Sequence, residues 1–189
     1  MCQTRTVAGP THVPTSIVAS ARRIGASRWI EEQLFEILGT WVQSTPQAEA
    51  KIVFARLSRH AAWRAAQWSA IQSEIEAFDA AVTTLPASPD VAELCDGLRA
   101  AVSAAERVEA LRSLVLPALA ESYAAHERLL DLASGGPARR TLARVRLDLA
   151  LDQADLDALG DEPDDEARGF VERLGTLCHA ATDLTASSD

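Results

Sequence analysis

The chain has 189 residues, of which 48% are apolar and 5% aromatic, enough apolar material for one globular domain with a sizeable core. The net charge of −9 argues against nucleic acid or an anionic membrane as a partner, because phosphate surfaces require a basic face. Cys2, Cys95 and Cys178 form no CxxC pair, which argues against a disulfide framework and against a thiolate zinc site. With neither a signal peptide nor a membrane-spanning apolar run, the sequence predicts a cytoplasmic protein.

The first half of the chain predicts a flexible arm followed by two long helices. Residues 1–15 hold glycine and prolines among Thr and Ser, so we expect an arm there and a single domain over residues 16–185. Apolar residues then recur at helical spacing, and no alternating β-branched run favours a strand. Helix 1 is predicted from Ser16 or Ser27 to Gln43, and helix 2 from Pro46 to about Val82.

The second half predicts one short helix, two long helices and a C-terminal helix. Ser88 followed by Pro89 is typical of a helix start, and Ser103 with Glu106 matches a capping box. The predicted elements are a short helix over 90–101, helix 3 over 103–133 with a kink at Pro117, helix 4 over 138–159 and a last helix after the acidic turn 161–166.

Four long helices in two hairpins, with one long connection between the hairpins, predict an all-α, ferritin-like four-helix bundle. The short helix lies in the long crossover, and the last helix is added at the C-terminus. An up-down-up-down bundle with short loops throughout fits this spacing less well.

Polar residues interrupt the apolar stripes of the four long helices. On helix 2, His60 and Arg64 lie inside the core-facing stripe, and a buried cation without a partner is too costly to keep. The other polar residues within or at the edge of such stripes are Glu31 on helix 1, Glu121 and His126 on helix 3, and Asp148 and Asp152 on helix 4.

These residues are predicted to meet at the middle of the bundle. The two helices of a hairpin rise equally, so residues equally distant from the loop lie at one level. Glu31 is thus level with His60, and Glu121 with Asp152. Such a cluster could accept a proton and could hold a substrate anion on the fork of Arg64. The alternative is a buried ion-pair network without chemistry.

The pattern resembles the ferritin-like superfamily of di-iron carboxylate proteins, in which two helices supply single glutamates and two supply Glu-x-x-His pairs. Glu31 and Glu121 match the single glutamates and His60 a ligand histidine, whereas Leu57 stands where a ligand is required and Arg64 adds a positive charge. The segments 59–68, Trp29-Ile30-Glu31 and Leu116-Pro117 are similar to those of an actinobacterial ferritin-like group. These departures from the family pattern remove ligands and add a cation, so we expect a ferritin-like bundle that has lost its metal and needs no cofactor.

The expected function is that of a metal-independent small-molecule enzyme, or a subunit of one, in bacterial secondary metabolism. The polar residues favour acid–base chemistry on an anionic substrate. The resemblance extends to proteins implicated in aziridine formation for azinomycin-type antibiotics, which implies an intramolecular displacement that closes an aziridine ring. The alternatives are a di-iron oxidase or oxygenase and a non-catalytic interaction subunit. An acidic run and a second apolar stripe with Leu147 and Leu151 allow for a partner subunit or a homodimer.

Overall fold

The computed structural model describes residues 17–72, 80–130, 135–160, 163–181 and 183–186, with the backbone alone at 81 and 82. Across these ranges the structure is all-α and contains no strand, which confirms the predicted class. The elements are α1 (Ile17–Ser44), α2 (Ala48–Ser69), α3 (Ala80–Thr83), α4 (Pro89–Arg99), α5 (Ala104–Glu109), a π-helical segment (Ala110–Val115), α6 (Leu116–Leu129), α7 (Gly136–Asp157) and α8 (Asp165–Ala180). The predicted arm over residues 1–15 lies outside the described residues.

The helices α1 and α2 form a hairpin and make the most extensive contact between any two elements described. The start of α1 at Ile17 agrees with the earlier of its two predicted starts. Across the hairpin, Ser58 Oγ of α2 donates a hydrogen bond to the Phe35 carbonyl oxygen of α1 at 2.9 Å. Near the loop, the rings of Trp41 and Phe54 pack with centroids 5.5 Å apart. This hairpin places α2 beside α1 in a fixed register.

Helix α2 is shorter than the sequence predicts, because it ends at Ser69 instead of near Val82. After the turn, Gln72 accepts a hydrogen bond from Arg28 at 2.8 Å and donates one to Thr84 at 2.9 Å, which holds the chain against α1 and the residues after α3. The predicted stripe residues Ile75 and Phe78 lie outside the described residues.

Helix α3 approaches α1 so closely that a glycine is required between them. A Cβ atom on Gly25 would lie 2.0 Å from the carbonyl oxygen of Thr83, too close for any side chain. The contact between α3 and α1 therefore depends on the absence of a side chain at Gly25.

Caps define the starts of the helices in the second half. Ser88 Oγ accepts from the backbone N–H of Val91 at 3.4 Å at the start of α4, and Ser103 and Glu106 form the predicted capping box of α5. The helix continues from α5 through the π-helical segment into α6, where Pro117 lies in the first turn. Proline lacks the N–H that an α-helical turn needs, so the predicted disturbance at Pro117 takes the form of the wider π turn before it.

Helices α6, α7 and α8 complete the packing around the hairpin. Helix α7 contacts both α2 and α6, which brings its core face against His60 and Arg64. Helix α8 packs on α4, α5 and the π-helical segment and buries Phe170 and Leu174. The second apolar stripe of α7 stays exposed, with Leu147 at 67% and Leu151 at 58%. Among the helices described, none has the length and apolarity needed to cross a membrane.

Candidate functional site

The centre of the polar core is Arg64, whose side chain is 1% exposed. Its Nε donates to Glu31 Oε1 at 2.9 Å, and its Nη1 donates to Asp148 Oδ2 at 2.7 Å and to Asp152 Oδ2 at 2.5 Å. The guanidinium group thus joins α1, α2 and α7 through three carboxylates. Each of these residues lies among apolar residues of its own helix, so the folding of the apolar stripes also brings the charges together.

His60 lies one turn before Arg64 and forms the edge of this cluster. Its Nδ1 is 2.6 Å from Asp152 Oδ1, and Asp152 is fully buried while the His60 side chain is 22% exposed. An ionised carboxylate only accepts hydrogen bonds, so beside ionised Asp152 the Nδ1 of His60 is the donor. The hydrogen bond therefore lets a buried carboxylate orient a partly exposed imidazole, with Nε2 on the side of the ring away from Asp152.

Two aromatic residues extend the cluster on the side of α6. The hydroxyl of Tyr123 donates to Glu31 Oε1 at 2.6 Å and accepts from Trp68 Nε1 at 3.2 Å. The sequence reasoning missed Tyr123, although it lies three residues before His126 on the same helix face. The available indication was that a buried tyrosine hydroxyl needs a polar partner.

The charges in the cluster are not balanced. Three carboxylates surround one guanidinium, which leaves a net charge of −2 when all of them are ionised. Burial alone would lower the pKa of Arg64, but Glu31 and Asp152 outweigh burial and raise it. Burial raises the pKa of Glu31 more than Arg64 and Tyr123 lower it, and its Oε2 is buried without a partner in the part of the chain described. The cluster accordingly favours an added proton or a cation.

The structure brings together five of the seven residues singled out in the sequence, namely Glu31, His60, Arg64, Asp148 and Asp152. The predicted position of Glu121 is wrong, because its side chain is 74% exposed and pairs with Arg128 at 3.0 Å. Glu121 and His126 both lie in the regular helix α6, and five residues separate them, which is about 140° around the axis, so the two side chains cannot share one buried face.

His126 is buried as predicted, but it lies beside the cluster and not in it. Its ring stacks on Trp68 with centroids 5.8 Å apart and planes at 15°. Burial, aided by the charge of Arg23, lowers the pKa of His126 to about 4, so the ring is neutral at pH 7. Its Nδ1 has no hydrogen-bond partner among the described residues. Trp68 and Tyr123 connect His126 to Glu31 through ring and hydroxyl contacts.

A di-iron centre, which the ferritin-like resemblance brings with it, does not fit this donor set. The Arg64 guanidinium is bonded to three carboxylates that would have to bind metal, and Leu57 offers no ligand one turn before His60. One atom each of His60, Asp148 and Asp152 nevertheless lies within 4.8 Å of the other two. That spacing suits one small cation.

Comparison with protein-family models, with curated proteins and with solved structures finds no match for this chain.

Proposed function

We propose that this chain is a small-molecule enzyme, or a subunit of one, in which His60 acts as the base in metal-independent acid–base chemistry. The observation that carries the proposal is the 2.6 Å contact between His60 Nδ1 and the buried Asp152. It lies where the polar core reaches solvent, since the side chains of His60 and Asp148 are 22% and 19% exposed. Elsewhere the cluster is enclosed.

The arrangement supports proton abstraction by Nε2 of His60. Asp152 holds the imidazole in the tautomer whose outer nitrogen can accept a proton, and it stabilises the imidazolium that results. Arg64 fixes Asp152 at 2.5 Å, so the orientation of the base depends on the buried ion pairs. In this scheme Arg64 is a positioning residue and does not touch the substrate.

The charge excess favours a substrate with a basic group. The sequence predicted an anionic substrate gripped by Arg64, but Arg64 is 1% exposed and its Nε and Nη1 are engaged by three carboxylates. We therefore assign the partly exposed Asp148 to bind a substrate ammonium, next to His60. A carboxylate within reach lowers the cost of bringing a cation to this edge.

The reaction class that follows is activation of an amine nucleophile. An N–H proton passes from the substrate ammonium to His60 Nε2, and the freed nitrogen lone pair forms a C–N bond. The C–O bond to an activated oxygen breaks, and that oxygen leaves with the bonding electrons. When both groups belong to one molecule with adjacent carbons, the product is an aziridine, as the family resemblance implies.

A ferritin-like ancestry remains part of this proposal. The α1–α2 hairpin, the contact of α6 with α7 and the position of α4 in the long connection agree with that architecture. In this proposal, Arg64 took the place of the metal between the carboxylates, and the chain kept the polar core for acid–base work. A role in bacterial secondary metabolism stays a prediction.

Binding of two matched probes tests the charge preference of the site. We expect n-butylammonium to shift the ring NMR signals of His60 and butyrate to leave them unchanged. Asp148→Asn and His60→Gln should each weaken butylammonium binding, whereas His179→Gln, at an exposed histidine of α8, should not. Tighter binding of butyrate than of butylammonium would contradict the proposed substrate class.

Turnover and metal content test the chemistry. With 2-aminoethyl hydrogen sulfate as a minimal substrate, the chain should accelerate sulfate release, and His60→Gln should abolish the acceleration. Wild-type rates in the His60→Gln variant would exclude His60 as the base. Stoichiometric iron or manganese in the purified protein, with activity lost on chelation, would favour the di-iron alternative.

A further inference from the structure

A cavity of about 480 Å³ lies at the end of the helices opposite the α1–α2 loop. It is bounded by the start of α1, the residues after α2, the end of α6 and the start of α7. Among the described residues the wall is largely aliphatic, with Ile24, Ile71 and Leu129 among its members, and the polar side chains are Ser20, Arg23 and His126. A volume between about 300 and 1,000 Å³ is typical of pockets that hold drug-sized ligands.

The polar feature of the cavity is the buried ring of His126, which is 2% exposed. Its Nδ1 has no partner in the described part of the chain, and a buried polar atom without a hydrogen bond is costly. Because the ring is neutral at pH 7, it offers one donor and one acceptor. The ring also forms part of the cavity wall, and there a hydroxyl or carbonyl group of a ligand could hydrogen-bond to it.

The charged residue in the wall is already paired. Arg23 Nη1 donates to Asp183 Oδ2 at 2.9 Å, so the cavity gains no net charge from this side chain. An uncharged ligand avoids the desolvation cost that a free ion would meet among aliphatic side chains. The shape of the cavity, its charge and the imidazole in its wall therefore point to the same kind of molecule.

We propose that this cavity binds an uncharged, mainly apolar small molecule whose single hydroxyl or carbonyl group hydrogen-bonds to His126. The site is distinct from the His60 edge of the polar core, because Trp68 and Tyr123 stand between His126 and Glu31 in the chain of contacts. It goes beyond the proposed acid–base function and does not depend on it.

The test uses the full chain and two probes that differ in one hydroxyl group, 4-ethylphenol and ethylbenzene. Calorimetry should show that the phenol binds about tenfold more tightly, as expected for one hydrogen bond to a buried group. His126→Phe keeps a ring against Trp68 and removes the nitrogen, so the two probes should then bind alike. His179→Phe is the matched control and should leave the tenfold ratio unchanged.

A second variant keeps His126 and fills the space. Ala138 lies in the cavity wall and is 6% exposed, so Ala138→Leu should weaken the binding of both probes about tenfold or more. Three results would overturn the proposal. These are no binding of either probe to the full chain, equal affinities for the two probes in the wild type, and unchanged binding in Ala138→Leu.

Discussion

Arg64 and Arg107, both buried in the described structure, are satisfied by opposite kinds of partner. Arg107 is 6% exposed and donates from Nε and Nη2 to the Ala101 carbonyl oxygen at 3.2 and 3.1 Å, and from Nη1 to Thr45 Oγ1 at 2.7 Å. Its guanidinium also lies 5.6 Å from the centre of the Trp41 ring. Arg64, by contrast, is bonded to three carboxylates.

The contrast shows that this fold can bury an arginine with neutral acceptors alone. Burial lowers the pKa of Arg107, whereas at Arg64 the effect of burial is outweighed by Glu31 and Asp152, and the pKa is raised. Three carboxylates exceed what one guanidinium needs for its own burial. This excess is the observation behind the role that we propose for the Arg64 cluster, whereas the Arg107 contacts satisfy no more than the burial of that side chain.

The largest effect is expected from Arg64→Met. Removal of the cation leaves Glu31, Asp148 and Asp152 close together without compensation, and breaking a buried pair in this way costs about 3–5 kcal/mol. Urea unfolding at pH 7 measures the loss. If Arg64→Met lowers the free energy of unfolding by less than Arg107→Met does, the carboxylate partners of Arg64 do not set it apart from Arg107.

The second largest effect is expected from His126, a buried base without a carboxylate partner, which should make the folded protein less stable in acid. His126 has a pKa of about 4 in the folded state against 6.5 as the ordinary value, so the unfolded chain binds the extra proton first. As pH falls from 6.5 to 4, wild type should lose about 3 kcal/mol relative to His126→Phe, because 2.5 pKa units correspond to about that free energy. The nearby Asp183 and Arg23 are present in both proteins, so they cancel in the comparison. A pH-independent difference would contradict the neutral, buried state of His126.

Arg107→Met is expected to cost about 2 kcal/mol. The change leaves the Ala101 carbonyl oxygen and the Thr45 hydroxyl without their donor, but it strands no charge. Urea unfolding of this variant beside Arg64→Met gives the ratio of the two effects. A cost equal to that of Arg64→Met would mean that neutral acceptors are no cheaper to strand than carboxylates.

Glu31→Gln should be tolerated, with a cost of about 1 kcal/mol or less. The amide oxygen of glutamine can still accept from Arg64 Nε and from the Tyr123 hydroxyl, and the raised pKa of Glu31 shows that its charge is disfavoured. Thermal unfolding of Glu31→Gln against wild type checks this. A cost as large as that of Arg64→Met would show that every carboxylate is needed to hold the arginine.

The smallest effect is expected at the surface. Arg56 Nη1 lies 2.6 Å from Asp155 Oδ2, and the two side chains are 40% and 30% exposed. Water and salt therefore screen this ion pair. Arg56→Met should cost about 0.5 kcal/mol in urea unfolding, and less in high salt. If salt does not change the cost of Arg56→Met, this ion pair is shielded from solvent in the same way as the ion pairs of Arg64.

The sequence alone predicted the helical class, the capped helix starts and five residues of the polar cluster. Local chemistry carries these features, since a capping serine, a core-facing arginine or a glycine stop acts within a few residues of itself. The face of α2 was predictable because the helix is regular between Ala48 and Ser69. The same reasoning failed for Glu121, which was assigned to the edge of the apolar stripe although it lies about 140° around α6 from the buried His126.

Only the tertiary structure decided which polar residues join the Arg64 cluster and which lie apart from it. Which side chain meets which depends on the approach of α2, α6 and α7, and no pattern within one helix encodes that approach. The sequence thus placed His60 and His126 in one cluster. Packing gave His60 a buried carboxylate at a solvent edge and gave His126 a tryptophan face beside an aliphatic cavity. The sequence determined that charges are buried, and the helix packing determined which charge each one faces.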